Sequence, residues 1–192
     1  MLGPNPLSIA IPAGEYPDVV LDMATSKAAV NNIALAMKEG RPIPEDWAVG
    51  PEGERTTDPV AAYHGALLPF GGYKGYGIQL IISLLAHALA GGDMDRDIPR
   101  AWADADQACN FGCFMGAIDV SKFVPLEVFK QRTDALLRQI KEGPAAPGVK
   151  EILIPGERGY AESRRAQAEG VEIPDSVMEE LRRLAEQYQI SQ

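Results

Sequence analysis

Leu67-Leu68-Pro69-Phe70-Gly71-Gly72-Tyr73-Lys74-Gly75-Tyr76-Gly77 runs directly into Ile78-Gln79-Leu80-Ile81-Ile82-Ser83-Leu84-Leu85, so that four glycines and a lysine precede a long apolar segment. Glycine lets backbone approach a ligand, and the first turn of a following helix offers unpaired N–H groups and a partial positive charge. Lys74 adds a point charge on a flexible stem. Together these residues describe a phosphate-sized anion site with a nucleotide as its natural occupant. The same residues also suit a plain tight connection into a buried helix. Two phosphate scaffolds are excluded: Gly75 stands where a P-loop needs Ser or Thr, and Leu80 stands where the dinucleotide fingerprint begun at Gly75 and Gly77 needs its third glycine.

Working outward, 192 residues with 46% hydrophobic content are enough for one domain with a real core. A net charge of -9 argues against nucleic acid and membrane surfaces as partners, and no arginine patch is interleaved with aromatics. Cys109 and Cys113 lack the spacing and histidine partners of a zinc site, so no metal is expected; they read as buried free thiols of a reducing cytoplasm. The run Ile78 to Ala90 is too short to span a bilayer and is expected to be a core helix.

Interleaved strand and helix signals give an α/β class. Leu7–Ile11 alternates like a strand, and Val19–Met23 reads as a strand buried on both faces, interrupted by Asp22. A carboxylate in that setting must be paired or mark a site. Thr25 or Ser26 is expected to cap a helix ending at Gly40, followed by an irregular excursion over 41–62. Beyond Gly91-Gly92-Asp93 come an Asp- and Arg-rich loop, a core strand over Gly112–Val120, a helix from Pro125, and a short strand Glu151–Ile154. A charged helix over 158–169 and a last helix from Pro174, with a capping box from Ser176 to Glu179, complete the chain.

Five pieces in register resemble the malate/L-lactate dehydrogenase family, which also includes ureidoglycolate, sulfolactate and diketogulonate dehydrogenases. They are Gly3-Pro4-Asn5-Pro6-Leu7, Val20-Leu21-Asp22-Met23-Ala24-Thr25-Ser26, Thr57-Asp58-Pro59, Leu68 to Gly77, and Ile154-Pro155-Gly156-Glu157. The resemblance implies a mixed sheet with flanking helices in a non-Rossmann nucleotide-binding fold, spanning 1–192 as one cofactor-binding portion. It implies NAD or NADP as cofactor and a small 2-hydroxy or 2-oxo acid as substrate. It also implies cofactor contacts from Asp18, Val19, Val20, Leu21, Asp22, Met23 and Ala24, from Tyr73 and Lys74, and from Gly156, Glu157 and Arg158. Asn5 and Pro6 lie where the family brings chain close to cofactor and substrate, although Pro4 replaces a usual threonine. Arg41, Arg55 and Arg158 are the arginines considered for a 2′-phosphate.

Family members are longer, and the portion carrying their Ser-His-Gly acid/base motif and carboxylate-binding cations has no counterpart here. Hydride chemistry on a 2-hydroxy acid needs such groups. His64 reads as a surface or packing residue and His87 as a packing residue, so no catalytic residue is assigned. Three readings follow: a dehydrogenase portion completed by a second polypeptide, a non-catalytic nucleotide-binding or regulatory module, and a structural protein that has lost its ligand. The retained Asp22, Tyr73, Lys74 and Gly156 argue against the third. Uncovered apolar surface is expected to place the chain in a larger cytoplasmic assembly, with homo-oligomerisation as the family resemblance implies.

Overall fold

The computed structural model describes residues 2–94, 97–98 and 107–190. Two antiparallel strands, β1 (Leu7–Ile11) and β2 (Val19–Met23), pair in the register Leu7 opposite Met23 through Ile11 opposite Val19. The connecting turn is held by carboxylates. Asp18 accepts from the Ala13 N–H at 3.0 Å, and Asp134 accepts from the N–H groups of Gly14, Glu15 and Tyr16 at 3.0, 2.8 and 3.4 Å.

Helix α1 (Val30–Glu39) starts later than Thr25 or Ser26, because both hydroxyls are committed elsewhere. Thr25 donates to the carbonyls of Pro4 and Asn5, and Ser26 donates to the carbonyl of Ala28. The helix ends as expected at Gly40, whose φ of 65° is left-handed. The 41–62 excursion holds more order than its composition suggests. It contains strand β3 (Ala48–Val49), which pairs with β4 (Ala66–Leu67), and most of helix α2 (Pro59–His64). Asp58 caps α2 by accepting from the Val60 N–H at 2.9 Å, with proline in the first turn.

Helix α3 (Tyr73–Ser83) continues as a π-helical segment over Leu84–Leu89. The change of winding falls where the Asn5 side-chain amide donates to the Gln79 carbonyl at 3.0 Å and to Ser83 Oγ at 2.6 Å. A side chain entering the ladder is one cause of such a change. Helices α4 (Leu126–Lys141), α5 (Glu157–Glu169) and α6 (Asp175–Gln187) follow. Among the described residues two small cores form: Ile33, Ala36, Ile43, Ala48 and Ala62 with Trp47, Tyr63 and Leu67, and Ala13, Leu137 and Ile154 with Tyr16 and Val19.

The α/β class holds, and the described strand pairs are both antiparallel and two-stranded. Several expected elements differ. Strand β2 is half-buried rather than buried on both faces, and Asp22 is exposed. Gly112–Asp119 is irregular and largely exposed, because Gly112 packs against Gly92 and the Ala86 carbonyl instead of joining a sheet. Residues 151–154 form no strand: the Ile154 N–H donates to the Glu157 carboxylate at 2.8 Å, leaving one backbone bond to the sheet, from Val20 N–H to the Pro155 carbonyl at 3.0 Å. Helix α6 has Pro174 as its N-cap residue, without a side-chain bond from it; the expected capping box rests on the Ser176 side chain, which lies outside the described residues. The Asp- and Arg-rich loop falls on 95–106, nearly all outside them. Cys109 and Cys113 are exposed, not buried, because the segment carrying them is not in a core. No described helix is long and apolar enough to cross a membrane.

Candidate cofactor site

Strand β2 is the core of the first predicted contact segment and the spine on which the other two hang. At its start, Val20 receives the Pro155-Gly156 turn: beyond the backbone bond, a Cβ on Gly156 would sit 3.2 Å from Val20 N and 3.3 Å from Val20 Cβ. With φ at 98°, Gly156 also holds a conformation that a side chain opposes. At the other end, the Phe70 N–H donates to the Thr25 carbonyl at 3.0 Å and the Lys27 N–H to the Leu68 carbonyl at 2.7 Å. Gln79 Nε2 adds a bond to the same Thr25 carbonyl at 3.2 Å. The Pro155-Gly156 turn is therefore fixed at Val20, near the start of β2, and the glycine-rich turn at Thr25, two residues past its end, about 17 Å away at the usual rise of an extended chain.

The four glycines of the opening motif do different jobs. Gly71 and Gly72 have φ of 58° and 62°, and a Cβ on either would meet nothing within 4 Å. They are needed for the turn and leave its peptides uncovered. Gly75 is needed for packing, since a Cβ there would lie 1.8 Å from the Phe70 carbonyl oxygen. Gly77 has no such reason, having nothing within 4 Å.

A cleft of about 340 Å³ opens on this turn, lined by Lys27, Asp46, Arg55, Leu68, Pro69, Gly71 and Gly72. Lys27 pairs with Asp46 at 3.3 Å. Arg55 leaves the cleft with an excess of positive charge beside two glycine peptides. That donor set fits a phosphate-bearing cofactor: cations for the charge and bare backbone for close approach. Lys74 is exposed in the first turn of α3 but is not among the walls of this cleft.

The predicted contact residues thus fall into two groups. Asp18 and Glu157 are committed within the fold. Glu157 takes Lys141 Nζ on both carboxylate oxygens at 2.8 Å, and Lys141 also meets Glu151 at 3.2 Å. The Lys141 ammonium, together with the Ile154 N–H, holds the Glu157 carboxyl below its ordinary range against the opposing effect of burial. Asn5, expected near the ligand, turns its amide into α3 instead. In contrast, Asp22, Ala24, Tyr73, Lys74 and Arg158 are exposed, and Val19, Val20, Leu21 and Met23 are half-buried along β2. Sequence reasoning missed Asp134, more than 100 residues from the turn it serves, and Lys141, which reaches Glu151 and Glu157 from 10 and 16 residues away. It also missed Lys27 in the cleft, although the position beside Thr25-Ser26 was a usable signal. Among the described residues, no three His, Cys, Asp or Glu side chains are grouped to hold a metal ion.

The chain matches the family model described as malate/L-lactate dehydrogenase over residues 1–182. It is 36% identical over 190 residues to malate/(S)-sulfolactate dehydrogenase of Methanothermus fervidus, covering 99% of this chain and 54% of that protein. It is 33% identical to ureidoglycolate dehydrogenase (NAD(+)) of Escherichia coli K12, covering 93% and 51%. The solved sulfolactate dehydrogenase of Methanocaldococcus jannaschii superimposes with a TM-score of 0.83 at 36% identity, over 95% of this chain and 52% of that one. The chain therefore spans about half the length of the relatives it matches. With matching sequence motifs in register and the same fold over that half, it belongs to the malate/L-lactate dehydrogenase family.

Proposed function

We propose that this chain is the cofactor-binding portion of an NAD- or NADP-dependent oxidoreductase that interconverts a small 2-hydroxy acid and a 2-oxo acid. The observation that carries the reading is the attachment of the Gly156 turn and the glycine-rich turn near the two ends of β2. That arrangement lets one extended ligand touch both turns. The peptides of Gly71 and Gly72 with Lys27 and Arg55 hold the phosphates, Lys74 supplies a further cation, and the backbone of β2 between them orients the rest. A nicotinamide held there would supply hydride exchange with C2 of the acid, and in the oxidative direction the hydroxyl proton would go to an acid/base group.

That group is not assigned to this chain. His64 is exposed and stacks edge-on against Tyr63 with ring centroids 5.6 Å apart, and His87 is buried in the π-helical segment. The acid/base and the carboxylate-binding cation belong in this reading to a second body carrying the rest of the family fold. The same observation favours a second reading, a nucleotide-binding or regulatory module without chemistry of its own. The reading also places the protein in the cytoplasm as a homo-oligomer.

Calorimetric titration of the chain with NADH and with NADPH tests it. Saturable binding of either supports the reading, and absence of binding of both refutes it. Hydride transfer to a 2-oxo acid when a complementing polypeptide is added separates the enzyme from the module.

A further inference from the structure

We propose that Lys141 is a positioning residue of the cofactor site: by holding the Glu157 carboxylate, it keeps the Gly156 turn seated on β2. The proposal rests on the cofactor reading above and deepens it. Lys141 lies on α4, which supplies none of the predicted contacts, so it acts through another residue.

Helix α4 brings one face to bear on two turns. Asp134, Leu137, Arg138 and Lys141 are spaced by three and four, and so share that face over about 10 Å of helix. Asp134 takes three N–H groups of the turn that leads into β2. Leu137 is buried between Ala13 of that turn and Ile154 of the other. At the last residue of the helix, Lys141 Nζ meets both oxygens of Glu157 at 2.8 Å, Glu151 at 3.2 Å and the Ile152 carbonyl at 3.4 Å. The two turns that flank the start of β2 are therefore set from a single helix.

The ion pairs on this face differ in weight. Arg138 meets Glu15 at 2.9 Å, but their side chains are 49% and 77% exposed, and a pair in water contributes little. Lys141 and Glu157 are only 21% and 20% exposed. Removing one partner of a covered pair strands the other charge, whereas replacing both by neutral groups is often close to neutral. That asymmetry matters for the turn. The Ile154 N–H donates to the Glu157 carboxylate at 2.8 Å, and the Glu157 N–H donates back to the Ile154 carbonyl at 3.0 Å. Without Lys141 the carboxylate is drawn toward water, and the first of these two closing bonds goes with it.

The seat itself leaves little tolerance. A Cβ on Gly156 would lie 3.3 Å from the Tyr160 ring and 3.2 Å from Val20 N, so the turn bears on Val20 with bare backbone. Having no side chain to anchor it, Gly156 takes its place from its neighbours. Pro155 accepts from the Val20 N–H at 3.0 Å, and Glu157 is held by Lys141.

Two variants of the full chain test this. Lys141→Met keeps the side-chain length without the charge. The double variant Lys141→Met/Glu157→Gln also removes the stranded carboxylate, while its amide oxygen still accepts from Ile154. Amide hydrogen exchange of the free chain and calorimetric titration with NADH and NADPH read both. In Lys141→Met, exchange at Val20 and Ile154 is expected to quicken at least about 10-fold, with α1 still protected, and nucleotide affinity to fall by about 10-fold. In the double variant both return to within about 3-fold of the parent. Unchanged exchange at Val20, quickening shared equally by α1, affinity that holds while Val20 loosens, or a double variant no better than the single one overturns the proposal. A parent that binds neither nucleotide removes the cofactor site and every role in it. A parent that binds, with variants that fail this pattern, removes Lys141 alone.

Discussion

Replacing Asn5 with alanine removes more than a contact. Asn5 is buried, adopts a φ of 32°, and donates its side-chain amide to the Gln79 carbonyl and to Ser83 Oγ. Each net hydrogen bond contributes about 1 kcal/mol, so losing both costs about 2 kcal/mol. Asparagine tolerates positive φ better than alanine, and the left-handed region costs an ordinary side chain about 1–2 kcal/mol. Asn5→Ala is therefore expected to destabilise the chain by about 3 kcal/mol. Asn5→Gly loses the same two bonds and escapes the steric cost, but adds about 0.5–1 kcal/mol of backbone freedom to the unfolded chain. Glycine should accordingly be less damaging than alanine by roughly 0.5–1 kcal/mol. Urea titration followed by far-ultraviolet circular dichroism reads both. With a slope of about 2 kcal/mol/M, the alanine midpoint falls by about 1.5 M and the glycine midpoint by less. An alanine midpoint equal to that of the parent, or a glycine variant no better than alanine, would refute the assignment of Asn5 as the clamp between the N-terminal loop and α3. Loss of nucleotide affinity without any loss of stability would return Asn5 to the ligand.

Two glycines on one helix should respond in opposite directions. Gly75→Ala forces a methyl group to within 1.8 Å of the Phe70 oxygen and must displace the turn, lowering thermal stability. Gly77→Ala meets nothing and should stabilise the isolated chain by about 1 kcal/mol; a thermal melt showing the reverse order defeats the reading of the motif. Lys74→Ala should weaken NADH or NADPH binding by about 10–100-fold, the equivalent of one charge-assisted hydrogen bond, with unchanged circular dichroism; unchanged affinity in a titration removes Lys74 from the site. Asp134 has its carboxyl lowered by the N–H groups of Glu15, Gly14 and Tyr16 and by Arg138, and Glu157 has its carboxyl lowered mainly by Lys141. Their contributions are present above the unfolded carboxyl range of about 4 and are lost as pH falls through the lower folded values. Lys141 is raised, mainly by Glu157, so its contribution holds below about pH 10.4 and is lost as pH rises through the higher folded value. Melting temperature against pH should thus fall at both extremes, and the acid-side fall should flatten in a double variant carrying Asp134→Asn and Glu157→Gln.

Local signals were legible where one segment suffices to satisfy its own chemistry. The strands Leu7–Ile11 and Val19–Met23 follow from alternation and apolar content, the stop at Gly40 from its left-handed backbone, and α4 from Pro125. Signals that depend on distant partners were not. Thr25 and Ser26 look like caps in sequence, but the Pro4 and Asn5 carbonyls, 20 residues earlier, take the threonine hydroxyl. Ile152-Leu153-Ile154 has strand composition, yet the Ile154 N–H goes to the Glu157 carboxylate, which Lys141 holds from 16 residues away. At the site, the three contact segments could be named from their motifs. Their division into residues committed to the fold and residues facing outward could not, because the partners of Asp18, Glu157 and Asn5 come from a turn, from α4 and from the buried side of α3.

The apolar run after Gly77 shows why burial and periodicity must be read separately. Its composition demands cover, and in this chain its buried positions are the polar ones, Gln79, Ser83 and His87. Those three side chains are spaced by four, so they line one side of the helix, where Ser83 accepts from the Asn5 amide and Gln79 donates to the Thr25 carbonyl. The apolar positions are then forced to the opposite side by geometry alone. A helix with one polar bonded face and one apolar face, packed polar side inward, is stable only when something apolar closes over it. The residues that anchor α3 to the candidate cofactor site are thus the same ones that commit its other face to a neighbour, and cofactor binding and assembly become two uses of a single helix. An Ile81→Asp variant that still binds nucleotide but fails to associate, beside a Lys74→Ala variant with the converse defect, would separate them.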